Sequence, residues 1–442
     1  MLNYIWLSFL LVAVFWGGFT GRLPEVTEGA FNMGKTAVMD LALPLVGLMA
    51  IWLGMMRLAE MSGLVQVIAR VLKPGLRRLF PDVPADHPAM GAMVMNMSAN
   101  MLGLGNAATP LGLRAMTLLE KLNPRPGIPT NAMVTFLVIN TASIQLVPTT
   151  AISWLVLKGS ANPAAIVPTA ILATLCAFIV GITVAKVLER TPWFRLEPAA
   201  LPQAGQAGID ETGGEREAAK VSLPPMTLVG GLVLTAYFIG FAMIFYVLMR
   251  HPTAQMEGQA GVLKVLFAIS ILAVPFLLSF FPLYAAVRGV KVYSEFTEGA
   301  KESFPVALRI IPFLVAMLVA IGMLRESGFL KSATDFLTPM LSTIGFPADL
   351  LPMVLMRPLS GSGTQGLFVD LISRTGEGFG PDSLISRMAG TIYGSTETTF
   401  YVLAVYFGSV AIRQSRHAII AGLSADLTAV IASVVICRLM FA

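Results

Sequence analysis

Glu397 is the residue best placed to do chemistry: a carboxylate inside an apolar run, in the stretch Tyr393-Gly394-Ser395-Thr396-Glu397-Thr398-Thr399. A charge at membrane depth is expensive, and such residues usually face a solute pathway or a partner. The hydroxyls of Ser395, Thr396, Thr398 and Thr399 are able to solvate either a bound cation or the carboxylate itself. The structural alternative is an ion pair with Arg357 or a protonated, hydrogen-bonded carboxyl.

A second polar knot lies earlier, Asn140-Thr141-Ala142-Ser143-Ile144-Gln145-Leu146-Val147-Pro148-Thr149-Thr150. It also interrupts an apolar run and ends in a helix-breaking proline. Paired interruptions in corresponding segments of two repeats point to a transporter's binding site, where half-helix N-termini meet anionic groups and freed carbonyls hold Na⁺ or a proton donor. Two further apolar segments are broken by Gly and Pro. One carries Ser98, Asn100, Asn106 and Thr109 among Gly103, Gly105 and Pro110. The other carries Arg357, Ser360, Ser362, Thr364 and Gln365 among Pro358, Gly361, Gly363 and Gly366. Irregular backbone is tolerated in a bilayer only where protein buries it or it lines a watery cavity, so its free N–H and C=O groups become ready ligands. The competing reading of the first segment is Gly-mediated helix packing. Successive N–H groups in 357–366 form an anion-receptive nest beside the fixed charge of Arg357. The GxxxxGK[ST] lysine is missing, so this is no NTPase phosphate loop.

Other chemistry-bearing residues fall away. Glu60 and Glu326 end equivalent helices beside Ser-Gly and read as capping or interface positions. His87, His251 and His417 have no HExxH spacing and no carboxylate cluster, which leaves a metalloenzyme unsupported. Cys176 and Cys437 sit alone in apolar runs and read as core thiols. The 25 methionines concentrate in apolar runs and read as flexible packing, with a soft-metal pathway as the alternative. The expectation is no catalytic residue, no metal site, no enzyme and no cofactor beyond a coupling Na⁺ or H⁺.

Composition says what must position these residues. The chain has 442 residues, 56% apolar and 12% charged, against roughly 25% charged in soluble proteins. An ordinary soluble enzyme is excluded. The +5 net charge is scattered one to three residues at a time between apolar runs, as in membrane loops, so nucleic acid is dropped as a partner and the lipid bilayer takes its place. Runs long enough to span recur at 2–20, 38–56, 132–157, 164–188, 226–249, 262–287, 304–324, 386–410 and 417–441. The first reads as a span and not a cleaved signal, because no basic residue precedes it. Between 189 and 225 the composition turns to Pro, Gly, Gln and mixed charge, a flexible linker.

The linker divides two repeats. Phe31-x-x-Gly34, Ser62-Gly63 and Leu72-x-Pro74 recur as Phe296-x-x-Gly299, Ser327-Gly328 and Leu337-x-Pro339, all at an offset of 265. If 89–120 is re-entrant, five crossings precede 262–287 and the halves are inverted. That topology places 18 Lys and Arg in the cytoplasmic loops and nine in the opposite ones, in keeping with the positive-inside rule. Crossing hairpins would instead make the halves parallel. The amphipathic stretches 64–79 and 329–344 are too short to span and should lie on the membrane surface or at a subunit interface, which suggests a homodimer.

The stretch Phe80-Pro81-Asp82-Val83-Pro84, Asp86-His87-Pro88 and Gly91, followed by Ala99-Asn100, Gly103-Leu104-Gly105-Asn106-Ala107-Ala108-Thr109-Pro110-Leu111-Gly112, resembles the bacterial spore maturation protein A family. Arg357-Pro358, Ser360-Gly361, Gly380-Pro381-Asp382-Ser383, Gly394-Ser395-Thr396-Glu397-Thr398-Thr399 and Tyr401 resemble the spore maturation protein B family. Nearly the whole chain is covered, as a fusion of the two. Both are similar to the nucleoside-recognition, or Gate, group, with concentrative nucleoside transporters and the membrane part of the ferrous iron transporter B among its relatives. Where the B family often carries Ser-Thr-Asp, this chain has the longer carboxylate of Glu397. The resemblance implies two inverted repeats, each with a re-entrant hairpin and a broken transmembrane helix; it does not imply a nucleoside as substrate.

The expected protein is therefore an all-α polytopic membrane protein of the bacterial inner membrane. Residues 1–188 form the first Gate-type repeat, 189–225 the linker, 226–249 a linking helix and 250–442 the second repeat. It moves a small polar solute, nucleoside-like or another small metabolite, by ion-coupled alternating access with the site at the midplane. The alternative is a non-transporting scaffold in envelope or spore maturation. The inverted arrangement has a direct check: in membranes of defined sidedness, single cysteines at Gly75 and Met340 should react with an impermeant thiol reagent from opposite faces, and labelling from one face would leave only the parallel arrangement.

Overall fold

A computed structural model of the chain describes residues 2–84, 87–103, 105–196, 226–253, 256–257, 261–343, 345–376 and 378–441, and every regular element among them is helical. In chain order these are α1 (Leu2–Phe19), α2 (Leu23–Thr36), a π-helical turn (Ala37–Ala42), α3 (Leu43–Met61), α4 (Leu64–Leu79), α5 (Pro88–Met101), α6 (Gly105–Lys121), α7 (Asn131–Ala142), α8 (Thr149–Leu157) and α9 (Ile166–Leu188). After α10 (Leu228–Arg250) come α11 (Gly261–Val287), α12 (Val292–Lys301), α13 (Ser303–Glu326), α14 (Phe329–Thr343), α15 (Leu351–Met356), α16 (Gly361–Ser373), α17 (Leu384–Ser395), α18 (Thr399–Gly408) and α19 (Ala418–Phe441). The order of long, short and paired helices in α1–α9 recurs in α11–α19. Residues 197–225, most of the expected linker, lie outside the described residues. Residues 189–196 form turns, and the carbonyl of Phe194 accepts from Arg416 Nη2.

Five helical stretches are long and apolar enough to cross a membrane: Leu23–Met61, Pro163–Leu188, Leu228–Arg250, Gly261–Val287 and Ala418–Phe441, or up to seven with bent pairs counted. This is a multi-pass membrane architecture. The apolar runs 132–157 and 386–410 differ from simple spans, since each is two short helices around an extended break. Apolar length adds up across a break, whereas the helix does not. α7 ends where Ser143 takes a left-handed φ of 37°, and Pro148 stands at the N-cap of α8. α17 ends at an extended Thr396, and Thr398 precedes α18.

Packing joins the two halves rather than separating them. α9 and α19 lie against each other and run antiparallel: a Cβ on Gly181 would sit 3.0 Å from Ala425 Cβ, while Thr169 at the other end of α9 bonds Thr391, which contacts Cys437. α2 packs on α13, and α12 on α3, through small residues that let the axes approach. Gly29 faces Glu326 and Gly322 faces Met33 in the first crossing. Gly299 faces Arg57 and Leu53 in the second, where an added Cβ would come 2.7 Å from the Leu53 carbonyl. The main buried cluster lies between the halves, around Trp154, Leu314, Phe368 and Ile392. α10 stands at the periphery with most of its apolar side chains exposed, as lipid contact requires. It is pinned to α11 by rings of Tyr237, Phe276 and Phe280, and the Tyr237 hydroxyl donates to the Phe276 carbonyl at 3.1 Å.

Candidate functional site

The two breaks meet. The Glu397 N–H, at the second break, donates to the carbonyl of Thr141 at the end of α7, 2.9 Å away. Each break is also tied to the tight connection between the preceding pair of helices. α5 and α6 pack together around a turn in which Gly103 adopts a φ of 77°, a conformation glycine takes without Cβ strain. The carbonyl of Met101 beside this turn accepts from the Leu146 N–H at 3.0 Å. Between α15 and α16 the carbonyl of Pro358 likewise accepts from the Phe400 N–H at 3.0 Å. Three backbone N–H groups at or beside the breaks thus find partners in protein, as burial demands.

Side chains complete the arrangement. Arg357, 4% exposed, donates from Nε to Thr396 Oγ1 at 3.0 Å and from Nη2 to the carbonyls of Tyr393, at 2.9 Å, and Thr396. Its guanidinium lies 4.9 Å from the centre of the Tyr393 ring, a cation–π contact. The ion pair between Arg357 and Glu397 is not formed: Arg357 caps the C-terminal carbonyls of α17, and the Glu397 carboxylate makes no hydrogen bond or ion pair with a described residue. In the first half, Asn100 Nδ2 donates to Asn140 Oδ1 at 2.9 Å, which also accepts from the Tyr406 hydroxyl at 3.2 Å. Asn140 Nδ2 donates back to the Phe136 carbonyl.

The remaining candidates divide into scaffold and lining. Ser98, Thr141 and Ser395 spend their hydroxyls on carbonyls of their own helices, and Ser143 carries the left-handed backbone turn. Ser360 caps α16 by accepting from the Gly363 N–H at 3.0 Å, contacts Ser362 Oγ at 3.3 Å, and offers its carbonyl to Thr364. Thr398 is buried beside Gly361, and Thr109 is half-buried. The Asn106 side chain lies outside the described part of the chain. Gln145, Thr150, Arg357, Tyr393 and Glu397 line a cavity of 120 Å³ floored by Pro148, Gly361 and Gly394. Thr150 and Tyr393 are shared with a cavity of 340 Å³, whose walls include Thr149, Gln365, Leu45, Met49, Trp52 and Met56, with Arg57, Glu60 and Glu302 also lining it.

Asp426 was passed over in the sequence, although the rule that singles out Glu397 applies to it equally. It is the ninth residue of α19, 5% exposed, and its Oδ2 accepts from Thr399 Oγ1 at 2.5 Å. Its other oxygen has no partner among the described residues. The ninth residue of α9 is Thr174, whose hydroxyl donates to the carbonyls of Ala142 at 2.7 Å and Ser143 at 3.1 Å. Each closing helix therefore holds a break with one polar side chain at the same position. Tyr406 was missed as well, since nothing in its spacing marks it; Tyr393, at the head of the polar stretch that holds Glu397, and Asn96, in the first interrupted segment, stand beside the expected site residues without being among them.

A family model described as nucleoside recognition, Gate, matches residues 42–155 and 307–413, which contain both helix pairs and both breaks. Spore maturation protein B of Bacillus subtilis (strain 168) is 44% identical over 173 residues, 39% of this chain and 95% of that protein. Spore maturation protein A of the same organism is 41% identical over 184 residues, 42% of this chain and 93% of that protein. The chain is organised as a fusion of relatives of the two.

Tyr406→Phe removes the one hydroxyl that joins Asn140 to Asn96, whose Nδ2 lies 3.4 Å from it. The expected cost is about 1 kcal/mol for a buried neutral bond, read as a lowered midpoint of thermal unfolding in mild detergent. An unchanged midpoint would mean that this network does not brace the first break.

Proposed function

From membership of the nucleoside-recognition Gate family, to which this chain belongs, we propose that the protein is an ion-coupled transporter of a small polar solute in the bacterial inner membrane. The observation that carries the reading is the convergence of two broken helices on adjoining cavities, with Glu397 in the smaller and its N–H bonded across to Thr141. Solute and coupling ion, Na⁺ or H⁺, occupy this junction between the repeats, and Glu397 is the intramembrane carboxylate that receives the cation.

Inversion of the repeats is supported by the closing helices. α9 and α19 hold equivalent places in their halves and run antiparallel in direct contact, which a two-fold axis in the membrane plane produces. On this reading the helix pairs α5–α6 and α15–α16 are re-entrant hairpins entering from opposite faces, and alternating access is a rocking of the junction against α3 and α13. The unpartnered outer sides of α4 and α14, with Val71, Phe336 and Met340 exposed, face the membrane surface or a second copy in a homodimer.

A scaffold for envelope maturation needs no intramembrane carboxylate free of partners, and it separates from the transporter in one experiment. Because the Glu397 carboxylate has no hydrogen-bond or ion-pair partner among the described residues, Glu397→Gln should unfold within about 0.5 kcal/mol of the parent. Coupled solute flux in proteoliposomes should fall at least tenfold, or lose its dependence on the ion gradient. Collapse of stability, or flux with unchanged ion dependence, would remove Glu397 from the coupling machinery.

A further inference from the structure

Two opposite charges face one small cavity without touching each other. Three of the contacts made by Arg357 are to Thr396 and Tyr393, and its remaining nitrogen, Nη1, has no hydrogen-bond partner among the described residues. The Glu397 carboxylate, half-buried, has none either. Both line the cavity of 120 Å³, and the first turns of α8 and α16 reach its wall at Thr150 and Gly361. Helix N-termini and a guanidinium favour an anionic group there; the carboxylate favours a cationic one. In low dielectric, two ions held apart are stable only when something between them satisfies both.

We infer that the solute is a zwitterion of the α-amino-acid type, its carboxylate on Arg357 Nη1 and its ammonium on Glu397 and Gln145. This rests on the transport reading and specifies its substrate class. The solute's side chain enters the adjoining cavity of 340 Å³, past Thr150 and Tyr393, toward the apolar wall of Leu45, Met49 and Trp52. There Gln365, 8% exposed, has its Nε2 unpartnered among the described residues and offers its amide N–H donors. An uncharged nucleoside leaves Arg357 and Glu397 desolvated without counter-charge, a costly outcome for both. The ammonium takes the place at Glu397 that the coupling cation holds when no solute is bound.

Binding of L-leucine and L-phenylalanine to the purified full-length chain tests this, set against 4-methylpentanoate (carboxylate without ammonium), 3-methylbutylamine (ammonium without carboxylate) and uridine. Saturable binding of the two amino acids is expected, with each single-charge analogue weaker by about tenfold or more for the loss of a charge-assisted bond. In Glu397→Gln the preference for L-leucine over 4-methylpentanoate should fall about tenfold while the protein stays folded. Arg357→Lys, which keeps the charge but not the fork that caps α17, should weaken 4-methylpentanoate and L-leucine alike. Uridine binding without amino-acid binding overturns the zwitterion and leaves transport standing. Equal affinity for L-leucine and its single-charge analogues, or no amino-acid binding at all, overturns it too; flux of any other solute then decides the transport reading separately.

Discussion

Backbone that leaves helical geometry in a buried apolar setting must find its hydrogen bonds in protein, and the centre of this protein follows from that constraint. Two helices break at 143–148 and 396–398, and protein supplies the bonds that the helices give up. Leu146 N–H is received by Met101, Phe400 N–H by Pro358 and Glu397 N–H by Thr141. The first two bonds fasten each break to its own helix pair, and the third fastens the halves to each other. Arg357 caps the carbonyls that end α17, Thr174 those that end α7. Each such bond is worth about 1 kcal/mol net, while leaving a buried group unpaired costs about 1–3 kcal/mol. The breaks are thus stable as a set and open to exchange of partners one at a time.

That energetic profile suits a moving junction. The surrounding helices meet through glycines, Gly29, Gly54, Gly299 and Gly322, whose lack of side chains lets axes lie close without interlocked branches. Such contacts resist separation through dispersion and hold little directional preference. Between the junction and α3 lies the larger cavity, and Gly299 of the α12–α3 crossing is part of its wall.

Much of this was legible in the sequence, for definite reasons. Gly103, with its φ of 77°, and Pro148, at the N-cap of α8, act on their own backbone, and a break written in local chemistry reads off directly; Gly394 lies inside α17 and instead lets Pro148 approach, 2.6 Å from an added Cβ. Of the matching pair Phe31-x-x-Gly34 and Phe296-x-x-Gly299, Gly34 is seen against Val319 of α13, while Gly299 and Phe296 are seen at the crossing of α12 with α3; Phe31 is exposed. What spacing does not encode is which distant residues meet. Asn100 and Asn140 were both marked as polar, but their bond needed the fold. Charge alone allows an ion pair of Arg357 with Glu397, one of the structural alternatives, and the carbonyls of Tyr393 and Thr396, invisible as side chains, claim the guanidinium instead. Asp426 was within reach of the same burial-cost reasoning that selected Glu397, and was hidden inside a run of helical length that reads as a simple span.

The central claim is that the junction opens to each side of the membrane in turn, and Thr150, exposed and shared by both cavities, reports on it. With Cys176 and Cys437 replaced, a single cysteine at Thr150 in oriented proteoliposomes is exposed to an impermeant thiol reagent from either face. Alternating access predicts reaction from both faces, with the ratio of the two rates shifted by an imposed ion gradient. Reaction from one face alone under every gradient would contradict it and leave a static membrane protein in its place.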